Sequence, residues 1–124
     1  MADPAPQFLY RLQVTRLEML RGGPTPEEAR VVGAHLNYLK KLAEEGVVVL
    51  AGRTQTNDDT TFGIVILNAA DEAAARAVME NDPAVKGSVM HATLFPFRVA
   101  VQATRQIRKS VRRTAAQTAP STST

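Results

Sequence analysis

The predicted order of elements, β-α-β-β-α-β, is that of an α+β domain. It matches the ferredoxin-like split βαβ arrangement, an antiparallel sheet with both helices on one face. Three observations carry this expectation. A long amphipathic helix with a full N-terminal signature begins at Thr25. Two apolar runs flank the turn cluster Asn57-Asp58-Asp59, as the strands of a hairpin would. The length of 124 residues, 44% hydrophobic and 22% charged, suits a single globular domain.

Residues 1–7 hold two prolines and no periodicity, and they read as a disordered, frayed start. The first strand follows from Phe8. Apolar and polar residues alternate from Tyr10 to Val14, the mark of a half-buried strand. Residues 18–24 read as a loop ending in Gly22-Gly23-Pro24. Thr25 is a good N-cap, Pro26 suits the first helical position, and Glu28 completes a capping box. The helix is expected to reach Glu45 and stop at Gly46. At 100° per residue, Val31, Val32, Leu36, Tyr38, Leu39, Leu42 and Ala43 share one side, and His35 falls inside that apolar arc.

Val47 to Arg53 is a continuous apolar run, as expected of a central strand, and Phe62 to Leu67 is its hairpin partner. Asp71 caps a second helix, expected from Glu72 to about Asn81, with Ala74, Ala77 and Val78 facing the core. Asp82-Pro83 ends it, because the residue before proline is pushed out of the helical region. Ser88 to Val99 is the last strand, with Pro96 near its end suggesting an edge or a bulge. The hairpin strands are apolar on both faces, so the sheet face away from the helices needs cover. A homodimer is the expected solution.

The net charge of +3 is unevenly spread. Five basic residues lie between Arg105 and Arg113, and the rest of the chain carries ten basic against twelve acidic residues, a net of −2. The domain, expected over residues 8–100, is thus slightly acidic. Residues 101–124 are expected to form a basic, flexible tail ending in the low-complexity run from Thr114 to Thr124.

Composition narrows the function. With no cysteine, thiol catalysis and cysteine-based metal sites are excluded. That also agrees with a reducing compartment, and a cytoplasmic location is expected. No apolar run reaches the length of a membrane helix, and no membrane association is expected. Neither GxGxxG nor GxxxxGK[ST] occurs, so a nucleotide cofactor has no support, and none is expected. Folds of this order include RNA binders that stack bases on sheet aromatics. Here Phe and Tyr total six with no Trp, and neither hairpin strand carries such a motif, so no specific nucleic-acid partner is expected.

The candidate site residues are few. A histidine in an apolar arc needs a partner or a cavity. His35 is either a boundary histidine satisfied by a backbone carbonyl or a functional group. Asp82 is either a helix stop and turn cap or the acidic partner that would fix the imidazole tautomer. Arg53, after Ala51-Gly52, is a solvated rim residue or a bidentate grip for a substrate carboxylate or phenolate. His91 lies in the last strand. No HxH or HExxH spacing accompanies the two histidines, and no metal is expected.

Several strings together resemble the YCII-related (YciI-like) family. They are Gly23-Pro-Thr-Pro-Glu-Glu, His35-Leu-Asn-Tyr-Leu-Lys-Lys-Leu, Glu45-Gly-Val-Val-Val-Leu-Ala-Gly-Arg, Asp82-Pro-Ala-Val-Lys and Phe95-Pro-Phe. The resemblance covers about residues 8–99 and implies a ferredoxin-like fold that pairs as a dimeric α/β barrel. It also implies a His/Asp-centred site in a cleft. The family's helix histidine falls on His35 and the aspartate of its "DP" motif on Asp82. The "AGR" strand end falls on Ala51-Gly52-Arg53, whose last position varies among members. A histidine before the terminal "PF" of some members is matched by His91. The chain departs from the pattern at Ser88, where glycine is frequent, and at Ala84, where a bulky residue often stands. The Asp82 loop is one residue shorter than in some relatives.

One branch of the family resembles a dehydrochlorinase of a chlorinated hydroxyhydroquinone, and the fold is similar to that of muconolactone isomerases. The resemblance therefore implies cofactor-independent acid/base chemistry of a lyase or isomerase type on a small cyclic or aromatic substrate. His35 would be the base or acid, Asp82 would orient it, and Arg53 and His91 would bind substrate. The alternative is a non-catalytic, dimeric module that binds a small ligand or a protein.

Overall fold

Residues 5–104 are described by the computed structural model of the chain. The basic run from Arg105 to Arg113 and the end of the expected tail lie outside the described residues, as do residues 1–4. The elements in chain order are β1 (Gln7–Val14), α1 (Glu18–Arg21), α2 (Pro26–Glu44), β2 (Val48–Arg53), β3 (Gly63–Asn68), α3 (Glu72–Glu80), α4 (Pro83–Lys86) and β4 (Met90–Phe97). The four strands form one antiparallel sheet in the order β2-β3-β1-β4. This is the ferredoxin-like α+β fold.

Alternation in β1 divides the sheet into two faces. Phe8, Tyr10 and Leu12 are buried on the helix side, where Phe8 lies opposite Leu67 and Tyr10 lies between Val65 and Leu94. Leu39 of α2 and Ala75 and Met79 of α3 close the core over them. Leu9 and Arg11 point the other way, opposite Ile66 and Ile64.

The first long helix follows its local signals. Thr25 accepts a hydrogen bond from the Glu28 amide, and the Glu28 side chain accepts from the Thr25 amide. Gly46 follows the C-cap Glu45 with φ of 79°, a left-handed turn that glycine adopts at little cost. Asp71 caps α3 through the Ala74 amide.

Other expectations are corrected. The start is not frayed up to residue 7: Gln7 belongs to β1, and the Pro6 carbonyl accepts from the Ala69 amide. Residues 18–21 form a turn of helix, because Met19 has an apolar site to fill. β2 is an edge strand, since β3 inserts between it and β1. Its Val49 and Leu50 are exposed. α3 turns Ala75 and Met79 inward, while Ala74 and Ala77 are exposed. An alanine-rich helix has no bulky residue to define its phase, and the large Met79 decides it. Pro96 does lie on an edge, as β4 pairs only with β1 among the described strands.

No helix among the described residues is long and apolar enough to cross a membrane.

Candidate active site

Two elements distant in sequence build the site. On α2, His35 stands one turn after Val31 and one turn before Leu39, both buried. The i, i+4 spacing carries its ring to the inward stripe, and 12% of its side chain is exposed. Asp82 sits between α3 and α4. Pro83 holds it in extended conformation, with φ of −62° and ψ of 124°. That conformation suits an N-cap, and Asp82 Oδ1 accepts from the Ala84 amide at 2.9 Å. The cap leaves the carboxyl aimed at α2, where His35 Nδ1 lies 2.7 Å from the same Oδ1. Asp82 is fully buried.

The contact is not made by the two long helices lying side by side. The short helix α4 brings Asp82 to α2. Its end, Gly87, lies against Val31 of α2: a Cβ there would stand 3.5 Å from Val31 Cγ1, an ordinary contact. One Asp82 oxygen thus both caps α4 and meets His35.

A third residue completes the cluster. Tyr10 donates its hydroxyl to Asp82 Oδ2 at 2.7 Å. Burial first, then the Asp82 charge and the hydrogen bond, push the phenol far above its ordinary titration. Tyr38 is also raised, by burial and then by the Asp82 charge, and it donates to the Val78 carbonyl at 2.7 Å. Sequence reasoning passed over Tyr10, treating it only as an alternating strand residue. The available signal was general: a tyrosine at a core position of a strand needs a partner for its hydroxyl.

His35 forms part of the wall of a cavity of about 310 Å³ between α2, α1 and the sheet. Leu12, Met19, Val32, Leu39, Val65 and Met90 supply an apolar lining. Leu36, expected in the core, is half exposed and lines the same space. That size lies at the lower end of small-molecule sites. With Nδ1 turned to Asp82, Nε2 is the nitrogen left for a ligand, and it has no protein partner among the described residues.

Arg53 lines the same cavity, but its guanidinium is engaged by its own loop. Nε donates to the Thr54 carbonyl at 3.0 Å, and Nη2 donates to the Thr56 carbonyl at 2.8 Å and to Asn57 Oδ1 at 3.3 Å. His91 is not brought to the site. It pairs with Gln13 on the opposite face of the sheet and is exposed. Strand alternation explains this, because the neighbours Met90 and Ala92 take the helix side.

Fold and site define an α+β protein with a His/Asp pair at the wall of an apolar cavity. The chain belongs to the YCII-related domain family, whose model matches residues 10–98. Among solved structures it is similar to 5-chloro-2-hydroxyhydroquinone dehydrochlorinase from Burkholderia phenoliruptrix AC1100, in complex with 2,5-dihydroxybenzoquinone. The identity is 21% and the TM-score 0.56, over 74% of this chain and 93% of that one. It is also similar to SnoaB, a cofactor-independent oxygenase from Streptomyces nogalater, in a mutant form. There the identity is 11% and the TM-score 0.45, over 83% of this chain and 100% of that one. No curated protein matches the chain.

Proposed function

We propose that the chain is a cofactor-independent enzyme that moves a proton on a small cyclic or aromatic substrate. His35 is the general base or acid and Asp82 orients it. The observation that carries this reading is the 2.7 Å approach of His35 Nδ1 to Asp82 Oδ1 in a ring that lines an apolar cavity. A carboxylate on Nδ1 favours the proton there and leaves the Nε2 lone pair for the substrate. Once Nε2 takes a proton, the imidazolium stands beside a carboxylate. The apolar walls suit a ring with few charges. Arg53 serves at the rim, where an anionic or phenolic oxygen would meet it. Loss of a leaving group or return of the proton to another carbon would complete a lyase or isomerase reaction.

A second copy of the chain is proposed to cover the outer sheet face. Leu50, Phe95 and Phe97 are 50%, 40% and 36% exposed there, and Arg11 stacks 5.8 Å from the Phe95 ring centre. Light scattering of the wild type and of Phe95→Glu reads this directly: a dimer is expected, and a monomer for the variant.

The enzymatic reading is tested on a panel of hydroxylated and chlorinated quinones and hydroquinones, including 2,5-dihydroxybenzoquinone. Turnover or solvent-proton exchange is expected in the wild type and absent in His35→Ala with its melting transition preserved. Equal turnover in that variant overturns the reading. Ligand-induced melting shifts with no turnover anywhere on the panel favour the binding module instead.

A further inference from the structure

Tyr10 is fully buried in the middle of β1, between Val65 and Leu94 of the neighbouring strands. A phenylalanine would fill the same space. A hydroxyl at that depth must find a partner or forfeit its hydration. Its partner is Asp82 Oδ2, at 2.7 Å.

The Asp82 carboxyl is buried and meets three groups: Tyr10 Oη donates to Oδ2, the Ala84 amide donates to Oδ1, and His35 Nδ1 lies 2.7 Å from Oδ1. No arginine or lysine bonds to it among the described residues. The anion therefore rests on these neutral donors, and Tyr10 supplies the one that reaches Oδ2. Tyr38, the other tyrosine raised by its charge, gives its hydroxyl to the Val78 carbonyl instead.

Two arrangements compete when a solvent proton is added to the His35–Asp82 pair. In one, Asp82 stays ionised and the ring is an imidazolium. In the other, the carboxyl takes the proton and donates it to Nδ1 of a neutral ring, whose own hydrogen then sits on Nε2. In both, Nε2 carries a hydrogen; its lone pair is open only before that proton is taken up, while Asp82 is ionised and the single ring hydrogen sits on Nδ1. A donor fixed on Oδ2 favours the carboxylate, because the carboxylate accepts more strongly than the acid.

We infer that Tyr10 is a positioning residue: its hydroxyl, given to Asp82 Oδ2, keeps the carboxyl an acceptor and so holds the His35 hydrogen on Nδ1 with Nε2 open to the cavity. The inference rests on the His/Asp reading proposed above and adds to it the residue that sets the tautomer. Tyr10 reaches the reacting atoms only through Asp82 and His35.

The test is the nitrogen-15 spectrum of the histidine rings near neutral pH in the full chain. In the wild type, neutral His35 is expected to show a pyrrole-type Nδ1 and a pyridine-type Nε2. In Tyr10→Phe the pattern is expected to exchange, with Nδ1 moving toward the pyridine-type position and Nε2 toward the pyrrole-type one. Tyr38→Phe, which loses a hydroxyl of the same kind but not one bonded to Asp82, is expected to keep the wild-type pattern. An unchanged pattern in Tyr10→Phe overturns this inference and leaves the His/Asp reading standing. A wild-type ring whose hydrogen is not on Nδ1 overturns both.

Should Tyr10→Phe fail to fold, the same question is put to Tyr38→Phe protein grown with 3-fluorotyrosine, which labels Tyr10 alone. Fluorination makes the phenol a stronger donor, and the His35 Nδ1 proton resonance is expected to shift. A resonance that stays in place overturns the inference.

Discussion

Asp82 accepts the Ala84 amide at 2.9 Å with the same oxygen that meets His35. Folding and chemistry thus draw on one atom, and substitution should separate them. Asp82→Ala strands the Tyr10 hydroxyl and removes the α4 cap. Its expected cost is about 3 kcal/mol, the sum of a lost cap and a buried donor left unpaired. Asp82→Asn keeps a carbonyl oxygen for Ala84, and its amide donates to the Tyr10 hydroxyl oxygen in place of the bond now running the other way, so its cost should be well under half of that. Both variants should lose turnover. Urea melts of the two proteins check the prediction, and equal destabilisation would sink it.

Ser88 has φ of 60° at the turn between α4 and β4. A side chain in the left-handed region costs about 1–2 kcal/mol, while glycine costs about 0.5–1 kcal/mol in extra freedom of the unfolded chain. Thr15 Oγ1 donates to the Ser88 carbonyl at 2.8 Å, a backbone contact that survives substitution. Ser88→Gly is therefore expected to stabilise the domain by roughly 0.5–1 kcal/mol, a rise of a few degrees in Tm. A fall in Tm on calorimetry would show that the turn is not strained.

Glu28 accepts from Arg16 Nε at 2.8 Å, from Arg16 Nη2 at 2.6 Å and from the Thr25 amide at 2.8 Å. The Arg16 bond first, then the Thr25 amide, pull its carboxyl down to about 2 from an ordinary value of 4.5. The folded state thus binds this proton less readily than the unfolded chain does. The contribution is complete above pH 4.5 and disappears as pH falls toward 2. Glu28→Gln should show a flatter loss of stability across that window than the wild type, and added salt should narrow the difference. Parallel acid titrations of chemical stability would read this; a gap that stays constant with pH would contradict it.

Local signals were legible in the sequence, and contacts between distant segments were not. Thr25, Glu28, Gly46 and Asp71 mark helix ends because each acts on an amide or turn within four residues. The place of β2 at the edge was hidden, because a run that is apolar on both faces reads the same in the centre of a sheet as on a border awaiting cover. Periodicity placed His35 in the inward arc, and Pro83 placed Asp82 outside a helix. Their meeting across 47 residues depends on how α4 lies on α2, which no spacing encodes. The residues left that pairing as one of two readings of Asp82, and the family resemblance pointed to it. Tyr10 stayed invisible for the same reason, as its partner lies 72 residues away.

Ala51 and His91 offer a contrast that locates the ligand. Ala51 lines the cavity from the helix side of β2, in register with Val65, and is exposed. Leucine there would intrude on the ligand's volume without displacing packed core, so Ala51→Leu should change stability by no more than about 0.5 kcal/mol. Turnover or ligand-induced melting shifts on the quinone panel should fall at least about tenfold, which corresponds to roughly 1.4 kcal/mol of lost binding. His91 lies on the far face of the sheet, and His91→Ala should leave both readouts within about twofold, as surface changes away from a site do. Ligand response unchanged in Ala51→Leu and abolished in His91→Ala would move the site to the outer face, between two copies of the chain.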